Sequence, residues 1–147
     1  MSNEEILKKG LTDFKSKYPL TIGWRLKKHA KILLEHLHDD ETIRYVFYAQ
    51  KNKSSLDVTS TGIIAVTNKR LVIARDRVVF GYFFDSITPD LFNDLKVRSG
   101  IIWGKIIIDT VRELVILSNI SKSALTEIEE EITSAMMELK DTVQVMK

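Results

Sequence analysis

The sequence predicts an α+β protein, mainly β: a strongly bent antiparallel sheet of about seven strands from Glu41 to Leu117. One amphipathic helix after Ser121 packs it, and an N-terminal helical extension precedes it. Three observations carry this reading. Apolar residues change from helical to alternating spacing at Glu41 and return to helical spacing near Ser121. The run Gly62-Ile63-Ile64-Ala65-Val66-Thr67-Asn68-Lys69-Arg70-Leu71-Val72-Ile73-Ala74 sets two apolar, β-branched stretches about a short polar turn, a hairpin signal. Strands clustered together with a helix at the end require that helix to cover an open end or face of the sheet.

The elements follow in order. Residues 4–17 form a helix with Leu7, Leu11, Phe14 and Tyr18 at helical spacing, weakened by Gly10 and stopped by Pro19. A second helix runs from Thr21 or Gly23 to His38, with Leu26, Ala30, Leu33 and Leu37 on one face. From Glu41, Ile43, Tyr45, Phe47 and Ala49 alternate as in a strand buried mainly on one face. Gln50 to Thr61 reads as a loop. The hairpin Gly62–Thr67 and Arg70–Arg75 turns at Asn68-Lys69, where Asn tolerates the left-handed conformation. A turn at Asp76-Arg77 leads to a strand over Val78–Phe84, and Ser86 to Asp90 is a break. Phe92–Val97 is a further strand, and Ile102–Thr110 with Arg112–Leu117 is a second hairpin. Ser121 or Ser123 caps the last helix, whose stripe is Leu125, Ile128, Ile132, Ala135, Met136, Leu139 and Val143.

Composition narrows the function classes. A chain of 147 residues suits one domain with a single core. It contains no cysteine, which excludes disulfides, thiolate metal sites and cysteine nucleophiles. Met1 to Lys9 is polar and charged, unlike a signal peptide, and no apolar run approaches the roughly 20 residues that span a bilayer. The expectation is a soluble, cytoplasmic protein. A net charge of +2 gives no reason to expect a nucleic-acid partner. Charge is uneven, with a basic middle (51–77) and an acidic tail (121–147).

Five segments resemble the bacterial pleckstrin-homology (PH) domains of the YokE-like type. They are Asp40-Glu41, the run Gly62 to Leu71, Phe84-Asp85-Ser86-Ile87, Ser99-Gly100-Ile101-Ile102-Trp103-Gly104-Lys105-Ile106, and Ile120-Ser121-Lys122. The resemblance spans residues 41 to 139. It implies a PH-like, seven-stranded, partly open barrel capped by the C-terminal helix. The chain then divides into a helical extension, 1–40, and a PH-like domain, 41–147. The implied function is a non-enzymatic interaction or scaffolding module, with a protein partner or self-association. No phosphoinositide site carries over, because the strand Gly62–Thr67 has no basic residue.

Candidate chemistry is sparse. His29, His36 and His38 fall within ten residues. On a helix His29 and His36 lie about 10 Å apart along the axis, too far for one metal ion. There is no nucleophile elbow and no glycine-rich phosphate loop. No catalytic residue, cofactor or metal is expected. Trp103, Phe83, Phe84 and Phe92 alternate with aliphatics and are assigned to the barrel core, as are Met136 and Met137. The one residue-level site is a basic rim of Lys51, Lys53, Arg75 and Arg77, in loops that a PH topology places at one open end. Its expected ligand is a phosphate or carboxylate, and the alternative function is weak peripheral contact with anionic membrane lipids.

Overall fold

The computed structural model describes residues 1–52 and 57–146. Three helices and seven strands follow the expected order: α1 (Asn3–Lys17), α2 (Leu26–His36), β1 (Ile43–Gln50), β2 (Thr61–Thr67), β3 (Leu71–Asp76), β4 (Tyr82–Ile87), β5 (Phe92–Ser99), β6 (Trp103–Thr110), β7 (Leu114–Ser121) and α3 (Leu125–Met146). The strands form one antiparallel sheet in the order β4-β3-β2-β1-β7-β6-β5. β1 pairs with β2 along its length, with a bulge between Ile43 and Tyr45, but meets β7 at Gln50–Ser118 alone. The sheet therefore curls into a half-barrel with a seam between β1 and β7.

α3 fills the concave side. Leu125, Ile128, Ile132, Ala135 and Met136 are buried, and α3 packs on β5, β6 and β2. Met137, assigned to the core from sequence, instead points to solvent. The aromatic assignment also changes. Phe92 is core, Phe84 is half-buried, and Phe83 and Trp103 are exposed. Alternating aliphatics mark a strand but do not say which aromatic lies inside.

The convex side is where the structure departs most from a one-faced sheet. β1 from Val46, all of β2, and β3 from Leu71 to Ala74 are buried on both faces. The cause is the N-terminal helices: α1 lies on β1, and α2 on β3 and β2. Ser2 caps α1 by accepting the Glu5 N–H at 3.2 Å. Leu7 and Phe14 sink into the sheet, with the Phe14 ring 5.3 Å from that of Tyr48. α2 begins at Leu26, later than expected, because Arg25 sits at φ 56, in the left-handed region. Its buried face is centred on His29, Ile32 and Leu33.

Gly10 weakens α1 locally but permits its docking. A Cβ there would lie 2.5 Å from Val46 Cγ2. Gly10→Ala should therefore lower the melting temperature, although alanine favours an isolated helix by about 1 kcal/mol. A thermal melt that rises instead would show that α1 does not need this close approach.

β4 corrects the sequence boundaries. It starts at Tyr82 rather than Val78 and runs through the expected break at Ser86 to Ile87. Residues 77–81 form a longer turn, closed by the Arg77 N–H on the Gly81 carbonyl at 3.0 Å, with Gly81 at φ +81. Val78, Val79 and Phe80 are thereby lifted into solvent. Gln50, assigned to the loop, ends β1, and a short 3-10 turn, Val58–Ser60, leads into β2.

Candidate functional site

Of the four rim cations, Lys53 lies outside the described residues. The other three gather around β4. The Lys51 ammonium bonds the Asp85 carboxylate. The Arg75 and Arg77 guanidiniums stand 4.6 and 5.0 Å from the Phe83 ring centroid. Arg75 also donates to the Thr59 carbonyl at 3.5 Å, and burial together with the Arg77 charge presses its pKa down. These cations are engaged within the protein. Sequence spacing brought them together but could not show the Asp85 and Phe83 side chains that occupy them.

The same hairpin carries a feature the sequence did not reveal. Beyond Arg77, Val79 is 84% and Phe80 76% exposed. An apolar tip thus stands next to cations that are already held. Gly81 was the available signal, since glycine inside a strand pattern marks a turn.

The three histidines are separately occupied. The Asp76 N–H donates to His29 Nδ1 at 2.8 Å, and His29 Nε2 faces the Trp24 carbonyl at 2.8 Å. A carbonyl only accepts, so Nε2 carries the proton and the ring is neutral. His36 stacks on Phe84, with centroids 4.5 Å apart, and His38 lies 3.9 Å from the Glu41 carboxylate. Among the described residues no group of three or more His, Asp and Glu side chains is placed to hold a metal ion.

Burial lowers the His29 pKa, only partly offset by the Trp24 carbonyl and Asp76, with Arg25 and Arg75 adding to the lowering. A folded pKa below the unfolded one means stability is complete above the ordinary value of 6.5 and falls as pH drops beneath it. Melting temperature should thus decline from pH 6.5 downward. His29→Gln should flatten that first part of the decline; an unchanged slope would exclude His29 as its source.

Two further clusters hold the chain together. Glu41, buried between α2 and the sheet, accepts both Nε and Nη2 of Arg70 at 2.9 Å, the Thr67 hydroxyl at 2.6 Å and the His38 N–H at 3.0 Å. At the seam, Glu127 of α3 accepts Lys17 Nζ and the Tyr18 hydroxyl at 3.0 Å and the Tyr45 hydroxyl at 2.7 Å. A cleft of about 250 Å³ lies there, between α1, β1 and α3. With three donors on it, the Glu127 carboxylate acts as a clasp between helices and sheet. Burial raises the Glu127 pKa, but these donors outweigh it and the net shift is down.

The connection between α1 and α2 closes the seam at its other side. Ser121 N–H donates to the Thr21 hydroxyl at 2.9 Å, Ile22 N–H to the Asn119 carbonyl at 3.0 Å, and the Trp103 indole N–H to the Leu20 carbonyl at 2.6 Å. Thr21 and Ile22 thus satisfy the β7 edge that β1 leaves unpaired, and Leu20 is tied to β6. Arg25 then pairs with Asp76 at 2.7 Å.

No helix among the described residues is long and apolar enough to cross a membrane. No curated protein matches the chain. Solved structures that are similar in fold include two with pleckstrin-homology domains. A pleckstrin homology domain from Shewanella amazonensis aligns with a TM-score of 0.50 and 17% identity over 76% of this chain and 98% of that one. A DUF1696-family protein with a pleckstrin-homology domain from Shewanella loihica aligns with a TM-score of 0.49 and 15% identity over 79% and 93%. The family model described as bacterial PH domain matches residues 37–134. That match spans β1 to the middle of α3, the half-barrel and the first part of its plug, and the chain belongs to the bacterial PH domain family.

Proposed function

We propose that this chain is a non-enzymatic, cytoplasmic interaction module of the YokE-like type that binds a protein partner or a second copy of itself. In this reading residues 1–40 are a helical extension docked on a PH-like domain, 41–147. The β3–β4 tip is the observation that supports it. Val78, Val79 and Phe80 are held out on a two-stranded ribbon whose base is paired from Leu71–Ile87 to Asp76–Tyr82. An exposed apolar tip on a rigid support is a contact surface. Lys51 is neutralised by Asp85, and Arg75 and Arg77 are turned onto Phe83. The charge that an anionic lipid would need is reduced there, which favours an apolar protein contact over lipid at Lys51, Lys53, Arg75 and Arg77.

Site-specific crosslinking from position 79 tests the proposal. A discrete adduct, with protein or with a second copy, is expected for the otherwise unchanged chain and should vanish when Phe80→Asp is added. No saturable adduct would overturn it. Loss of anionic-vesicle binding on charge reversal at Lys51 and Arg77 would instead favour the lipid alternative at this rim.

A further inference from the structure

We propose that the β5–β6 hairpin is a docking surface for an anionic bilayer, separate from the β3–β4 tip and independent of the reading above. At its tip Ile101 is 94% exposed, with Ile102 and Trp103 exposed beside it. The Trp103 indole N–H is fixed on the Leu20 carbonyl, which brings the exposed Leu20 alongside. Immediately behind the tip, Arg98 of β5 stands directly opposite Lys105 of β6. Lys122 is tied to the tip itself, its backbone N–H bonded to the Ile102 carbonyl at 2.9 Å.

The charges here differ from those at the rim. Arg98, Lys105 and Lys122 make no ion pair among the described residues. Two cations directly opposed across strands repel, and nothing in the fold relieves them. From Leu95 to Ile108 the chain holds no acidic residue. The pairing then reverses sign: Asp94 stands opposite Asp109, at the far end of the same face. The hairpin is polarised, with cations at its apolar tip and carboxylates at its base. An anionic surface attracts the tip and repels the base.

Apolar side chains stand at the extremity with cations behind them, around a shallow hollow lined by Arg98, Trp103 and Lys105, an order that matches the acyl boundary and phosphate layers of a bilayer. Isoleucine side chains enter the acyl boundary, a tryptophan ring sits at headgroup depth, and Arg and Lys meet lipid phosphates. Each cation near such a surface contributes about fivefold in partitioning.

The full chain is tested against vesicles of phosphatidylglycerol mixed equally with phosphatidylcholine, and against pure phosphatidylcholine. Co-sedimentation is expected with the anionic vesicles at about 0.01 M salt and should weaken at about 1 M. In a Trp24→Phe background, Trp103 emission should shift to the blue on binding. Arg98→Glu with Lys105→Glu should reduce partitioning by about 25-fold or more, and Ile101→Asp by about tenfold. Arg98 and Ile101 are exposed, and thermal melts of each variant check that the fold is kept. Charge reversal at Lys51 and Arg77 should leave partitioning unchanged. Absence of binding at low salt, binding indifferent to Ile101→Asp, or loss through Lys51 and Arg77 alone would each overturn the proposal.

Discussion

Arg70→Met should lower the stability of the fold by about 3–5 kcal/mol, the cost of leaving a buried carboxylate without its counter-charge. The Glu41 side chain has no exposed surface, and Arg70 supplies two of its four hydrogen bonds. The same guanidinium donates to Ser86 Oγ at 3.0 Å and the His36 carbonyl at 3.1 Å, so one side chain joins the end of α2 to β4. Denaturant unfolding measures the effect. A loss under about 1 kcal/mol would mean the pair is as weak as a surface salt bridge. Burial by itself raises the Glu41 pKa, but Arg70, Thr67 and the His38 N–H outweigh it and hold the pKa at about 2. The depressed value makes the stabilisation complete above pH 4.5 and lost as pH falls through about 2. The lost stability amounts to about 3 kcal/mol. This acid limb lies well below the decline attributed to His29, and the double substitution Glu41→Leu with Arg70→Met should remove it.

Ile128→Asp should prevent folding outright. Ile128 is fully buried in the stripe that α3 presents to the barrel, beside Leu125, Ile132 and Met136. Each large side chain there contributes about 1.5–3 kcal/mol on burial. The sum is comparable with the entire 5–15 kcal/mol net stability of a domain. A carboxylate in that plug either stays charged and unpaired or must take up a proton, and both are costly. The expected result is insoluble protein, as it is for a chain ended at Ser121. A cooperative melt from either variant would show that α3 is an accessory rather than the plug of the half-barrel.

The fold was legible where periodicity was strong. Ile128, Ile132 and Met136 recur at helical spacing and are buried as read. The hairpin around Asn68-Lys69 folds as its β-branched flanks require. Reading failed where two patterns look alike. Val78-Val79-Phe80 has strand composition, yet Gly81 turns the chain and leaves those residues in water. In β1, Val46 and Tyr48 were an unheeded sign of a second buried face, but sequence does not reveal which helix covers them. At the rim, Lys51, Arg75 and Arg77 contact side chains of β4. The carboxylate that neutralises Lys51 was not legible, because Lys51 and Asp85 lie 34 positions apart and only the folded sheet makes them neighbours. The polarity of the β5–β6 hairpin depends on register in the same way.

The segment that closes the β1–β7 seam also dictates an order of events. Its bonds reach far along the chain: Thr21 to Ser121 spans 100 positions. A ribosome makes this segment long before the β7 edge it closes, although β1, β2 and β3, on which the helices lie, follow the helices directly. During synthesis Thr21 and Ile22 wait for Ser121 and Asn119, at about 5–20 residues added per second. Closing contacts of such high sequence separation is slow, because loop entropy is lost before any contact forms. The last step of folding is then the closing of that seam, and refolding from denaturant should show protection of the Ile22 amide lagging behind that of β2 and β3.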